Sequence, residues 1–203
     1  MESRIIQRGA EAIILKEKNK ITKKRIKKSY RIPELDKKIR KLRTRSETKL
    51  LIKASKIIKI PQVHQSDEKT KEIEMDFVKG ERLSETLSNL QLKRQLKICL
   101  NIGKDIAKLH DADIIHGDLT TSNMILAKDN SISFIDFGLG FISRKVEDKA
   151  VDIHLLRQAL EAKHFQHWEK LFKEFLKGYK KSKDYAKTLE RFKAVEKRGR
   201  YKH

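Results

Sequence analysis

The chain has 203 residues, 49 Lys and Arg against 28 Asp and Glu, a net charge of +21, and a 38% hydrophobic share that falls in periodic blocks. That patterning excludes a disordered chain, and the length admits one substantial core or two small lobes. A single cysteine, Cys99, excludes an internal disulfide, no run is long enough to span a membrane, and Met1, Glu2, Ser3 and Arg4 open no signal-peptide core, so a reducing, cytoplasmic setting without a membrane partner is expected.

Residues 4 to 26 read as three strands: Ile5 and Ile6, a turn through Arg8, Gly9, Ala10, Glu11 and Ala12, then Ile13 to Leu15, a turn at Lys18 and Asn19, and a third strand from Ile21. From Ile32 the pattern turns helical, with Pro33 placed to open a helix and Leu35, Ile39 and Leu42 on one face. A second helical stretch holds Glu47, Leu50, Leu51 and Ala54. Pro61 to His64 and Ile73 to Val78 read as two more strands, joined by a polar turn from Gln65 to Thr70. After Lys79 and Gly80 the period becomes helical, which divides the chain into an N-terminal unit, 1–79, and a C-terminal unit, 80–203.

In the second unit a long helix from about Leu92 to His110 carries Leu96, Cys99, Gly103 and Ile106 on one face, and Cys99 is expected as a buried thiol. Met124 to Leu126 and Ile132 to Ile135 alternate as a hairpin about Lys128, Asp129 and Asn130. Phe165, Trp168, Leu171, Phe172, Phe175, Leu176 and Tyr179 form a core stripe at helical spacing. His164 and His167 lie three apart on the same expected helix but lack the further ligands of a metal site. The run from Val195 to His203 is basic, short and poorly suited to burial, so it frames a contact with a partner or RNA, or frays.

The charge is concentrated: residues 20 to 59 hold 17 Lys or Arg and 3 Asp or Glu, with Tyr30 among them. A face of that density suits a phosphate backbone, although no base-reading motif accompanies it. Solvated helix faces in a Lys-rich proteome explain the same excess, and both readings stay open.

The chemistry is carried by Ile115-His116-Gly117-Asp118-Leu119-Thr120-Thr121-Ser122-Asn123-Met124 and, 18 residues after Asp118, by Asp136-Phe137-Gly138. Phosphoryl transfer needs a carboxylate near the attacking oxygen and hard oxygen ligands for Mg, because the phosphate charge must be neutralised as it moves. Asp118, as the catalytic carboxylate, and Asn123 and Asp136, as metal ligands, supply those groups in the order and spacing of protein-kinase-like enzymes. Such an enzyme also needs a lysine on its third strand to grip the ATP phosphates and a helical glutamate to hold that lysine. Lys23, Lys24, Lys27 and Lys28 compete for the first role. Lys23 is chosen because it follows the apolar start of the strand. Glu47, an acid among bases before an apolar stripe, is its expected partner, against the alternative of a surface Glu paired within the helix.

The same resemblance implies an α+β, minimal two-lobed kinase-like fold, with a small β-rich N-lobe bearing helices and a mostly helical C-lobe. Gly9, Ala10, Glu11 and Ala12 would then cover the phosphates, Met75, Asp76, Phe77 and Val78 would form the hinge against adenine, and Asp152 would brace the catalytic loop. Two departures stand out. The phosphate-covering turn has one glycine, and only Leu139 to Val151 separate Gly138 from Asp152, with no proline after Pro61. The docking platform for a peptide substrate is therefore missing, and control of that loop by phosphorylation is not expected.

Lys28-Ser29-Tyr30-Arg31-Ile32-Pro33-Glu34-Leu35-Asp36, Arg43-Thr44-Arg45-Ser46-Glu47, the Gly117 to Asn123 run, Asp136-Phe137-Gly138-Leu139-Gly140 and the terminal Arg198-Gly199-Arg200 together resemble the PRPK family, the small atypical kinase of the KEOPS complex. The likeness spans nearly the whole chain. It implies a Ser/Thr kinase and ATPase that uses ATP and Mg, works beside a Kae-type threonylcarbamoyl-transferase and other KEOPS subunits, and supports threonylcarbamoyladenosine formation in tRNA. A rival is a small-molecule kinase of the aminoglycoside or choline type, which also uses His-Gly-Asp. Its pocket needs a larger helical subdomain than the 65 residues after Gly138 provide. A pseudokinase scaffold would have lost the metal ligands, which are present.

Overall fold

Alternation along the third strand sets the architecture: Lys23 and Arg25 turn inward while Lys20 and Lys24 stay at the surface. The structure, a computed structural model, describes residues 4–200. Met1, Glu2 and Ser3, and the last three residues of the basic terminal run, Tyr201, Lys202 and His203, lie outside the described residues. Strands β1 (Arg4–Arg8), β2 (Ala12–Glu17), β3 (Lys20–Arg25), β4 (Val63–Asp67) and β5 (Glu72–Asp76) form an antiparallel sheet in the order β1-β2-β3-β5-β4. The fourth strand is displaced from its expected position. A register shift between Val63 and Gln65 lets it run on to Asp67, whose Oδ1 then accepts the Lys69 amide at 2.6 Å and closes the turn.

One continuous helix, α1 (Pro33–Ala54), replaces the two expected. At 100° per residue, Leu35, Ile39 and Leu42 lie about a quarter-turn round the axis from Leu50, Leu51 and Ala54. Only the second group faces the sheet and is buried, whereas Leu35 and Leu42 are 49% and 51% exposed. The shift of stripe looked like a break because pattern reading assumes one buried face per helix. Across the junction Arg40 donates to Asp36 Oδ2 at 2.7 Å, and the Thr44 and Thr48 hydroxyls donate to the carbonyls one turn back.

From Glu81 onward the chain is mainly helical. Strand β6 (Glu81–Arg82) and helices α2 (Leu83–Thr86) and α3 (Leu92–Asp111) precede β7 (Ile114–Ile115), β8 (Met124–Leu126), β9 (Ile132–Phe134) and β10 (Phe141–Ile142). Helices α4 (Val146–Lys163), α5 (Trp168–Tyr179) and α6 (Tyr185–Arg200) follow. Strands β6, β8 and β9 form one small sheet and β7 with β10 another, the hairpin falling where the alternation placed it. Because α4 starts at Val146, the segment after Gly138 is shorter still than its distance to Asp152 suggested. No described helix is long and apolar enough to cross a membrane.

The aromatic stripe lies on α5 but without Phe165, which is 78% exposed in the connection before the helix. His164 ends α4 and His167 precedes α5, so the two never share a helix, and among the described residues no group of three or more side chains suits a metal through His, Cys, Asp and Glu alone. The Cys99 thiol is buried in the core, and burial first, then the Glu174 charge, pushes its pKa up to about 12.

Helices α3 and α5 cross at two glycines. A β-carbon on Gly103 would sit 2.0 Å from the Phe175 carbonyl oxygen, and one on Gly178 2.0 Å from that of Leu100. Backbone cannot yield as a side chain can, so the helices would have to separate. We expect Gly103→Ala to cost about 3 kcal/mol in overpacking, offset by the roughly 1 kcal/mol alanine regains as a helix former. A drop of about 4–8 °C in the thermal midpoint is the corresponding readout.

Candidate active site

The loop after β7 is fixed from behind by one buried carboxylate. Asp152 on α4 accepts the His116 amide at Oδ2 (2.8 Å) and the Gly117 amide at Oδ1 (2.9 Å), and His110 Nε2 lies 3.2 Å from Oδ2. His110 Nδ1 is in turn 2.9 Å from the Tyr179 hydroxyl. Burial works to raise the Asp152 pKa, but the hydrogen bond from His110, with that from the His116 amide, outweighs it and holds it low. Gly117 has φ +78°, and a β-carbon there would meet the Leu139 carbonyl oxygen at 2.2 Å, so only glycine fits.

His116 Nε2 lies 3.2 Å from the Ile135 carbonyl, which can only accept, so Nε2 carries the proton and Nδ1 receives the Asp118 amide at 3.3 Å. Burial lowers the His116 pKa despite the nearby Asp152, Asp118 and Asp136, which keeps the ring neutral against Phe137, 4.5 Å between centroids. A 3-10 turn over Thr121–Asn123 then aims Asn123 back: its Nδ2 donates to the Asp118 carbonyl at 2.9 Å and to Asp118 Oδ2 at 2.8 Å. Both bonds use the amide nitrogen. The oxygen, the atom a cation would take, is not used by either.

Asp136 has φ +61°, a left-handed conformation that Asp tolerates better than most residues. Its Oδ1 accepts Lys23 Nζ at 2.7 Å and the Gly138 amide at 3.1 Å. Burial works to raise its pKa, and the charge and hydrogen bond of Lys23 with the Gly138 amide bring it below the ordinary value. Lys23 Nζ also donates to Glu47 Oε1 at 2.7 Å. Burial works to lower the Lys23 pKa, yet the charges of Glu47 and Asp136 outweigh it and hold the ammonium protonated. The competing Lys24 points outward to Glu72, 2.7 Å away, and Lys28 donates to the Ala10 carbonyl. Glu47 is buried, not a surface glutamate.

A cavity of about 910 Å³ unites these groups. Gly9, Ala10, Glu11, Ala12, Lys23 and Glu47 line it from the first half of the chain, as do Met75, Asp76, Phe77 and Val78, and Asp118, Asn123 and Asp136 line it from the second. At the crossing between the halves the amides of Asp76 and Phe77 are engaged by the carbonyls of Gln62 (3.0 Å) and Asn19 (2.8 Å). The turn with one glycine is held by charge instead of shaped by glycines: Glu11 pairs with Arg43 at 2.9 Å and Arg31 at 3.4 Å. Of the residues expected to bind ATP or metal, to act as the catalytic carboxylate or to brace the loop, only Asp152 lies outside the cavity, behind the loop it holds.

Three contributors were not anticipated. Arg25 binds the second oxygen of Glu47, and its place two residues after Lys23 on a strand was the available signal. His110 ends a helix with no pattern to mark it. His164 lies between the Ser88 hydroxyl (2.7 Å) and the Thr121 hydroxyl (3.3 Å) of the loop after β7. Burial, helped by Lys163, pushes its pKa down to about 4 from 6.5. The unfolded chain therefore binds more protons in that window, so stability falls as pH drops from 6.5 toward 4. Thermal unfolding across this range should reveal the slope, and His164→Gln should flatten it.

A five-stranded antiparallel sheet with one helix packed on it, facing a helical half across a cleft that gathers a lysine, a glutamate and an Asp-Asn-Asp set, defines a protein-kinase-like phosphotransferase. The protein kinase domain family matches residues 4–165. The chain is 43% identical to the KEOPS complex subunit Bud32 of Pyrococcus abyssi, over 98% of this chain and 96% of that one. It thus belongs to the Bud32 family of protein kinase domains. It is also 42% identical to a probable bifunctional tRNA threonylcarbamoyladenosine biosynthesis protein of Methanobrevibacter smithii, of which it spans 37%. Among solved structures, the bifunctional kinase-methyltransferase WbdD has a TM-score of 0.59 at 16% identity, over 84% of this chain and 43% of that one, a likeness of fold alone.

Proposed function

We propose that this chain is the ATPase and atypical Ser/Thr kinase subunit of a cytoplasmic KEOPS assembly, hydrolysing ATP in support of threonylcarbamoyladenosine formation in tRNA beside a Kae-type threonylcarbamoyl-transferase. The observation that carries the reading is the Lys23–Glu47–Asp136 cluster opposite the Asp118–Asn123 pair in one cleft. The names of the two relatives, one a KEOPS subunit and one a tRNA threonylcarbamoyladenosine protein in which a unit like this chain is part of a longer polypeptide, support the setting.

In this reading Lys23 grips the ATP phosphates and Glu47 holds Lys23 in place. Met75 to Val78 form the hinge against adenine, with the 79/80 boundary between lobes, and Gly9 to Ala12 cover the phosphates. The hard oxygens of Asp136 and Asn123 fit Mg, which when bound neutralises charge on the transferring phosphoryl group. Asp118, held by Asn123, orients the attacking hydroxyl or water. Asp152 keeps the loop carrying Asp118 in register. The short run Leu139–Lys145, partly taken up by β10, offers little platform for a peptide, which favours hydrolysis over broad protein phosphorylation.

The test is phosphate release from ATP by the full chain alone, with tRNA, and with the transferase partner. Stimulation by tRNA is expected. Turnover indifferent to tRNA but raised by an aminoglycoside or choline would overturn the proposal and favour a small-molecule kinase.

A further inference from the structure

Lys23 and Arg25 leave the same face of β3, and both are buried, at 7% and 5% exposure. They share one carboxylate, for Glu47 receives Lys23 Nζ on Oε1 at 2.7 Å and Arg25 Nη2 on Oε2 at 2.5 Å. A β-carbon on Gly138 would lie 3.4 Å from Arg25 Nη2 and 3.5 Å from Lys23 Nζ, so the two cationic heads stand side by side against the turn that carries Asp136. Arg25 also lines the cavity, and its buried Nε has no hydrogen-bond partner.

Charge counting gives this arrangement a consequence. A lone Lys–Glu pair is neutral and stays neutral when Asp136 turns to a cation. Here two cations face two anions, Glu47 and Asp136, and the cluster balances only while Asp136 serves it. Once Asp136 is engaged elsewhere, one positive charge is left over beside the cavity, and a buried charge demands a counter-ion. Arg25 supplies that charge, because a guanidinium does not lose its proton at working pH and Lys23 alone is cancelled by Glu47.

We propose that Arg25 is a positioning residue of the phosphoryl-transfer centre: it fixes the second oxygen of Glu47 and leaves Lys23 with uncompensated positive charge for the nucleotide phosphates. The inference rests on the reading of Lys23 and Glu47 as the phosphate-gripping pair.

Arg25→Gln, Arg25→Lys, Glu47→Gln and the double variant Arg25→Gln/Glu47→Gln, made in the full chain, test it through two readouts. In steady-state ATP hydrolysis, Arg25→Gln should lower kcat by about tenfold to a hundredfold, the scale of a misplaced reacting group, with KM for ATP changed less than about threefold. Arg25→Lys should recover part of that loss, and adding Arg25→Gln to Glu47→Gln should cost less than about threefold more. The second readout is the thermal midpoint without nucleotide. Each single glutamine variant leaves one unbalanced buried charge, of opposite sign, and should melt lower than the wild type, whereas the double variant restores balance and should melt above either single one. Losses that multiply in kcat, or midpoints that fall additively, would overturn the proposal, as would a normal kcat in Arg25→Gln while Glu47→Gln is impaired. A normal kcat in Glu47→Gln would instead sink the Lys23–Glu47 reading beneath it.

Discussion

Replacing Asp136 by asparagine lowers ATP hydrolysis by on the order of a hundredfold to a thousandfold while the protein stays folded. Asparagine is the informative substitution because the backbone at this residue is left-handed, φ +61°, and Asn accepts that conformation about as well as Asp. Strain is therefore not introduced. What changes is charge: the side chain loses the anion that faces Lys23 at 2.7 Å and with it the strongest candidate ligand for a hard cation. Phosphate release with saturating ATP and Mg measures the loss, and a circular-dichroism melt on the same preparation separates it from unfolding. Undiminished hydrolysis in the variant would contradict the assignment of this carboxylate.

The second large effect is expected at Asp152. It is 1% exposed and binds two loop amides and a histidine, so Asp152→Ala leaves all three without their acceptor inside the protein. Removing one side of a buried charged network costs about 3–5 kcal/mol, which for a chain of this size lowers the thermal midpoint by on the order of 10 °C. Turnover should fall as well, since the loop that carries Asp118 loses its brace. The pH dependence has a definite sign. The folded Asp152 pKa lies below the reference 3.8, so the unfolded chain binds more protons as pH falls through that value. This contribution to stability is complete above about pH 5 and is lost on acidification toward the folded pKa. Acid unfolding of the wild type should therefore show a component near pH 4 and below that Asp152→Ala lacks.

The arrangement of Asp118, Asn123 and Asp136 was legible because it is local: Asp118 and Asn123 are five residues apart, and a hairpin of countable length returns the chain to Asp136. Lys23 and Glu47 were harder, being 24 residues apart among many bases, yet a strand start and an apolar stripe were enough to select them. Other features depended on information that no single segment holds. The continuity of α1 was hidden because its exposed and buried stripes face different ways, and only tertiary packing decides which stripe is core. Phe165 was misassigned for the converse reason, since a large apolar residue next to a stripe does not have to join it. Arg25 ends β3 among neighbouring bases, and only the continuation of the strand through it turns it onto the face of Lys23. His110 meets Asp152 across 42 residues of sequence, and nothing local distinguishes it from the other histidines.

In place of a glycine-rich flap, the turn over the cavity is tied through Glu11 to Arg43 on α1 and to Arg31 ahead of that helix, and through the Ala10 carbonyl to Lys28.

Hydrolysis of ATP in one cleft through Asp118, with Mg held by Asn123 and Asp136, is tested most directly by the time course of phosphate release by the purified full chain in Mg and in excess EDTA, with Asp118→Asn alongside. Release in Mg that stops in EDTA, and that falls by about a hundredfold or more in Asp118→Asn with nucleotide affinity retained, is the predicted result. Equal rates with and without Mg, or an Asp118→Asn variant as fast as the wild type, would contradict it.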